Sequence, residues 1–115
     1  MLHIYVKEHV TLNQGVTSEE GKPVYDLIYK TLNSGDTVEL DFDGMTFMTT
    51  AFLNVVIGTL YKDFTSEQLK ERLILQNVSS DTAFRIKKVT DNAKLFYANQ
   101  AAFNKNIDDA IYGNM

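Results

Sequence analysis

The stretch "DFDGMTFMTTAF", residues 41–52, gathers the side chains of this chain best suited to chemistry: Asp41, Asp43, Thr49 and Thr50. Two carboxylates two residues apart can share a metal ion or divide acid and base work. An Asp before Gly is also an ordinary turn former, and a strand-end Asp can accept backbone N–H groups. With no convincing nucleophile, base or third ligand nearby in sequence, the structural reading of Asp41 and Asp43 is favoured. The two threonines pose a different choice. A hydroxyl at a helix start can cap a free backbone N–H, worth about 1 kcal/mol. Thr50 can instead be presented to a partner, and a phosphate there would add about −1.5 to −2 charge beside the positively polarised helix end.

Other chemistries lack their residues. The chain has no cysteine, so thiolate metal sites and disulfides are excluded, and its two histidines, His3 and His9, belong to no HExxH pattern. The glycines do not have the spacing of a phosphate-binding loop. The sequence therefore predicts no catalytic residue, no metal site and no bound cofactor, and a protein that is not an enzyme. A net charge of −4 disfavours nucleic acid, since phosphate contacts need concentrated positive charge. The local exception, "RIKK" at 85–88, reads as a partly solvated helix flank. No apolar run approaches the roughly 20 residues needed to span a bilayer, and the start "MLHIYVKEHV" lacks the pattern of a signal peptide. A cytoplasmic location without membrane attachment is the expectation.

The elements that must hold these residues follow from periodicity. Residues 3–7 form a first strand, and Asn13 and Gly15 suit a polar connection. Thr17 or Ser18 caps a first helix with Val24, Leu27, Ile28 and Leu32 on one stripe; Pro23 predicts that its regular part begins near Lys22. "NSGD" stops it, Gly35 taking the left-handed position. "TVELDF" is a strand with Val38, Leu40 and Phe42 on one side and Thr37, Glu39 and Asp41 on the other. Asp43 and Gly44 turn, and Thr49 and Thr50 open a helix through "AFLNVVIGTLYKDF" that is apolar on two sides. Such a helix lies between layers or offers one face to another chain. Thr65 or Ser66 caps a short helix over 67–73, "LILQNV" is a strand over 73–78, and Ser79 or Ser80 caps a long helix over about 81–104, with a bend or break near Thr90 to Asn92. The tail from about 105 to 115 adds a turn or frays. The order predicts one α/β domain across residues 1–115, a small mostly parallel or mixed sheet packed with helices.

"LNSGD", "VELDFDGMTFM", "TTAFLNVVIGTL" and "LILQNV" together resemble the STAS-like family, small domains related to bacterial anti-sigma factor antagonists, over roughly residues 15–98. In the antagonist branch a strand leads into Phe, an apolar residue, Asp, Ser, Ser, Gly and Leu, the first Ser being phosphorylated by a partner kinase. Laid on "FMTTAFL", Thr49 takes the Asp place, Thr50 the phosphorylated place, and Ala51 and Phe52 replace Ser and Gly. The resemblance implies a non-enzymatic regulatory module that binds a protein partner, a kinase-like ATPase. The expected contacts are Thr49, Thr50, Phe52 and Asn54, with Thr50 the phosphorylation site. The alternative is a structural module that forms a homodimer through the apolar second helix, broken by charge at Val56 or Ile57.

Overall fold

The alternation of Val38 to Asp41 makes the central strand of the sheet, β3, because both of its neighbours can offer it an apolar row. β1 (Leu2–Tyr5) and β5 (Leu73–Gln76) flank β3 (Val38–Asp41), all parallel, with Leu2, Val38 and Leu73 in register and Tyr5, Asp41 and Gln76 in register. The period of two then sorts the side chains. Ile4, Val38 and Leu40 point into the helices and are buried, while His3, Tyr5, Glu39, Asp41, Ile74 and Gln76 share the opposite face. The computed structural model describes the backbone of residues 1–108 and the side-chain surroundings of residues 1–98.

A capping box fixes the first helix. Thr17 Oγ1 accepts from the Glu20 N–H and the Glu20 carboxylate accepts from the Thr17 N–H, so α1 runs from Ser18 to Asn33. It starts four residues earlier than Pro23 predicts: the proline gives up one bond to a carbonyl in the first turns, and the reciprocal cap holds the helix start in place. Gly35, at φ 91°, ends the helix as expected, its N–H donating to the Leu32 carbonyl.

A second sheet was not legible in the sequence. β2 (Gln14–Gly15) pairs in parallel with β4 (Phe47–Met48), and this pairing delivers the chain to α2 (Thr50–Val56). α2 is shorter than predicted. Beyond it the chain tightens into a 3-10 turn over Gly58–Lys62, where the Thr59 hydroxyl donates to the Asn54 carbonyl. α3 (Ser66–Arg72) carries a second capping box between Thr65 and Gln68. The last helix, α4 (Ser80–Asp108), begins where Ser79 Oγ accepts from the Thr82 N–H. It runs unbroken through Thr90 to Asn92, where a bend is predicted; Thr90 turns its hydroxyl back onto the Lys87 carbonyl and Lys87 pairs with Asp91. α4 includes residues 105–108, and the rest of the predicted tail, 109–115, lies outside the described residues. No helix among the described residues is long and apolar enough to cross a membrane.

α2 lies between α1 and α4, which accounts for its two apolar sides. Phe52, Leu53 and Val56 are completely buried and Ile57 nearly so. Gly21 of α1 lets the helices approach: a Cβ there would stand 3.1 Å from the Phe52 carbonyl and 3.2 Å from Val56.

Candidate protein-docking site

The two adjacent threonines have separate jobs. Thr49 is the N-cap of α2, in extended conformation, and its hydroxyl accepts from the Phe52 N–H at 3.1 Å. The same hydroxyl donates to the Val16 carbonyl at 2.6 Å, and the Thr49 N–H donates to the Gly15 carbonyl. Every hydrogen-bonding group of Thr49 that faces the protein is therefore committed to joining β2, β4 and α2. Thr50, one residue on, is exposed, and its hydroxyl has no hydrogen-bond partner among the described residues.

Two of the remaining expected contacts divide in the same way. Asn54 is exposed on α2, one turn from Thr50. Phe52 corrects the sequence expectation. Its ring is 0 % exposed and lies against Gly15, where a Cβ would stand 2.6 Å from ring carbons, so it cannot be an apolar contact for another protein. Val56 and Ile57, expected to be exposed on a dimer-forming α2, are also buried, at 0 % and 2 % exposure. The apolar faces of α2 are consumed by α1 and α4.

What α2 does leave open is its edge toward α4. Thr50, Ala51 and Asn54 face Val89 and Asn92 across a depression of about 290 Å³. A second depression of about 230 Å³ continues from Asn54 and Asn92 to Ala93, Phe96 and Tyr97. Asn54 and Asn92 line both, so the two form one groove. Along the inward stripe of α4, Ile86, Val89 and Ala93 are each less than a tenth exposed, whereas Phe96 is 59 % exposed where the stripe passes the end of this groove. The α4 side of the groove was not identified from sequence. Its signal was the same apolar spacing, which marks a helix face without saying where its cover stops.

The carboxylates do not converge. Asp41 is buried, with Oδ1 accepting from Asn77 Nδ2 at 2.8 Å and from the Asp43 N–H at 2.9 Å, and with Oδ2 2.9 Å from His3 Nε2. The Asn77 amide, then the Asp43 N–H, and also His3 hold its carboxyl below the ordinary range against the opposing effect of burial. Asp43 is exposed in the turn, 3.7 Å from Lys7 Nζ. Glu39 approaches the other ring nitrogen of His3 at 3.2 Å. Because the two carboxylates address different nitrogens, His3 bridges β1 to β3 instead of joining them around one ion, and no group of three or more metal-ligating side chains is found among the described residues. His9 is exposed on the turn after β1. Within "RIKK", Arg85 pairs with Asp81 and lies over the Phe47 ring, and Lys87 pairs with Asp91, so these charges are largely engaged on the helix flank.

A three-stranded parallel sheet backed by helices on one face, with a hydroxyl-capped helix following the central strand through a short second sheet, defines a small α/β domain of STAS-like build. The chain matches the model of the STAS-like domain of unknown function (DUF4325) over residues 20–83, from α1 into α4, and it belongs to that family. No curated protein and no solved structure matches it.

Proposed function

We propose that this domain is a non-enzymatic regulatory module, cytoplasmic in location, that binds a protein partner at the start of α2 and along the α2–α4 groove, and that phosphorylation of Thr50 switches the contact. The observation that carries this reading is the contrast at the helix entrance: Thr49 is tied into three elements, while Thr50 is exposed at the head of the groove and its hydroxyl has no hydrogen-bond partner among the described residues. A phosphate on Thr50 would place about −1.5 to −2 charge next to Ala51 and Asn54 and change what can lie against them. The resemblance to anti-sigma factor antagonists favours a kinase-like ATPase as the partner. Asn54 would supply a polar contact and Thr49 would hold the entrance in shape.

The test is intact-mass analysis of the purified chain after incubation with cell extract and ATP, followed by capture of partners with the phosphorylated and unmodified forms. One added phosphate, absent in Thr50→Val and retained in Thr49→Val, with a partner that separates the two forms, is the expected result. An unmodified Thr50 together with no specific partner removes the proposal.

A further inference from the structure

α4 is longer than the body it packs on. Its 29 residues span about 43 Å at the helical rise, while the molecule measures only 27 and 23 Å along its two shorter axes and 57 Å along the longest. The body covers α4 with α2 and with the 3-10 turn over Gly58–Lys62. That cover ends near Phe96: Ile86, Val89 and Ala93 are each less than a tenth exposed, whereas Phe96 is 59 % exposed, and the helix runs on to Asp108. Most helical stability in proteins comes from a packed face. None of the described elements supplies one to the overhanging end.

The spacing along α4 states what kind of cover fits. Ile86, Val89, Ala93 and Phe96 follow one another at intervals of three and four residues, and the same repeat continues past the body through Gln100, Phe103 and Ile107. A sustained repeat of 3.5 residues is the seam of paired helices, with a single polar seam position such as Gln100 fixing register and partner number. From Phe96 to Ile107 the intervals are four, three and four, so they read the same in both directions. Two antiparallel copies of this stretch therefore fall into register about a dyad between Ala101 and Ala102. The dyad sets position 96 opposite Ile107 of the partner subunit and position 100 opposite Phe103 of the partner subunit. A parallel pair is disfavoured by the body itself: α2 covers Ile86 to Ala93 on the same stripe, so both bodies would lie over the seam at one level and collide. The seam's neighbours, Tyr97, Asn99, Asn104 and Asn106, bring no like charges together when the partner is identical.

We propose that the protein self-associates as a two-fold, antiparallel dimer through residues 96–107 of α4. The dimer that a buried α2 cannot form is thus assigned to the overhanging helix. This goes beyond the docking reading and does not rest on it, since Thr50 at the head of the groove lies outside the seam and the purified chain alone provides the test.

Sedimentation equilibrium of the full chain should show a reversible monomer–dimer equilibrium in the micromolar range, the modest strength expected of a seam about three turns long. Phe103→Glu should weaken it roughly tenfold or more by placing a charge in the seam. Position 103 lies past the packed body, so the variant should still fold, and circular dichroism in dilute solution checks this. Leu95→Glu is the control. Leu95 is 63 % exposed, more than Phe96, yet stands off the repeat, so its replacement should leave association intact. Orientation is read by cysteine pairing, which is unambiguous in a chain with no cysteine of its own. Phe96→Cys mixed with Ile107→Cys should form a disulfide between the two variants in preference to either with itself. A monomer at every concentration, an undiminished dimer in Phe103→Glu, or equal weakening by Leu95→Glu overturns the inference. Cysteine variants that each pair only with themselves overturn it as well, because that pattern belongs to parallel helices.

Discussion

Thr49 Oγ1 donates to the Val16 carbonyl at 2.6 Å while accepting from the Phe52 N–H, so one hydroxyl closes the junction between the segment before α1 and the start of α2. Thr49→Val keeps the shape and removes both bonds, and it should lower stability by about 1–2 kcal/mol, the upper range for a lost cap. Thr49→Ser should restore most of that. Thr50→Val, one residue away, should stay within about 0.5 kcal/mol of the parent, as expected at an uncommitted surface position. Urea unfolding midpoints decide the matter; equal losses at the two positions would show that the division of labour between them is wrong.

Gly15 and Phe52 make the second indispensable contact of this junction. The ring carbons of Phe52 occupy the space of a Gly15 Cβ, at 2.6 Å, and the ring is enclosed on all sides. Gly15→Ala should therefore cost about 1–3 kcal/mol through overpacking. Phe52→Leu alone should also destabilise, but in the double variant the two losses should be less than additive, because the smaller side chain can yield to the new methyl. Strict additivity in a double-mutant cycle would mean that the contact does not govern the cost.

Much of this architecture could be read from the chain because it is local. Thr17 with Glu20, Thr65 with Gln68 and Ser79 with Thr82 each place a cap and its partner within one turn, and Gly35 stops α1 by its own conformational freedom. β2 could not be read that way: two residues carry no alternation, and Gln14 and Gly15 become a strand only because Phe47 and Met48 lie beside them. Thr50 and Asn54 are exposed, while Phe52, expected beside them as a contact, is buried, since a family position carries no information about what fills the neighbouring space. In this chain Gly15 has given that space to a ring. The partnership of His3 with Asp41 required knowing that β1 pairs with β3, a tertiary fact that neither strand states alone.

The turn at Thr11–Gln14 is built from residues poorly suited to it. Leu12 and Asn13 both have positive φ, 56° and 57°, and the Gln14 N–H closes the turn on the Thr11 carbonyl. Asparagine tolerates this conformation, but a leucine side chain is strained in it, and Leu12 is also 82 % exposed. Leu12→Asn and Leu12→Gly should therefore stabilise the protein by about 1 kcal/mol, relieving the backbone without removing buried contacts. Thermal unfolding measures this, and a destabilised Leu12→Asn would show that Leu12 makes contacts that outweigh its strain.

The acid limb of stability should run through Asp41. Its carboxyl is held below the ordinary range chiefly by the Asn77 amide, then by the Asp43 N–H, with His3 adding to both. A depressed folded-state pKa means that the unfolded chain binds the proton more readily. The stabilisation from Asp41 is thus fully present above the unfolded-state value of about 3.9 and is lost as pH falls from there through the folded value. Asp36, Asp91 and Glu20 are shifted in the same direction, so the parent protein alone cannot isolate the effect. Asn77→Gly can: Asn77 has φ 55°, which glycine adopts freely, so the substitution removes the amide without straining the loop. Urea midpoints measured from neutral to acid pH should show Asn77→Gly weaker than the parent at neutrality and converging on it as Asp41 protonates. Parallel curves across the whole range would place the acid sensitivity in the exposed carboxylates instead.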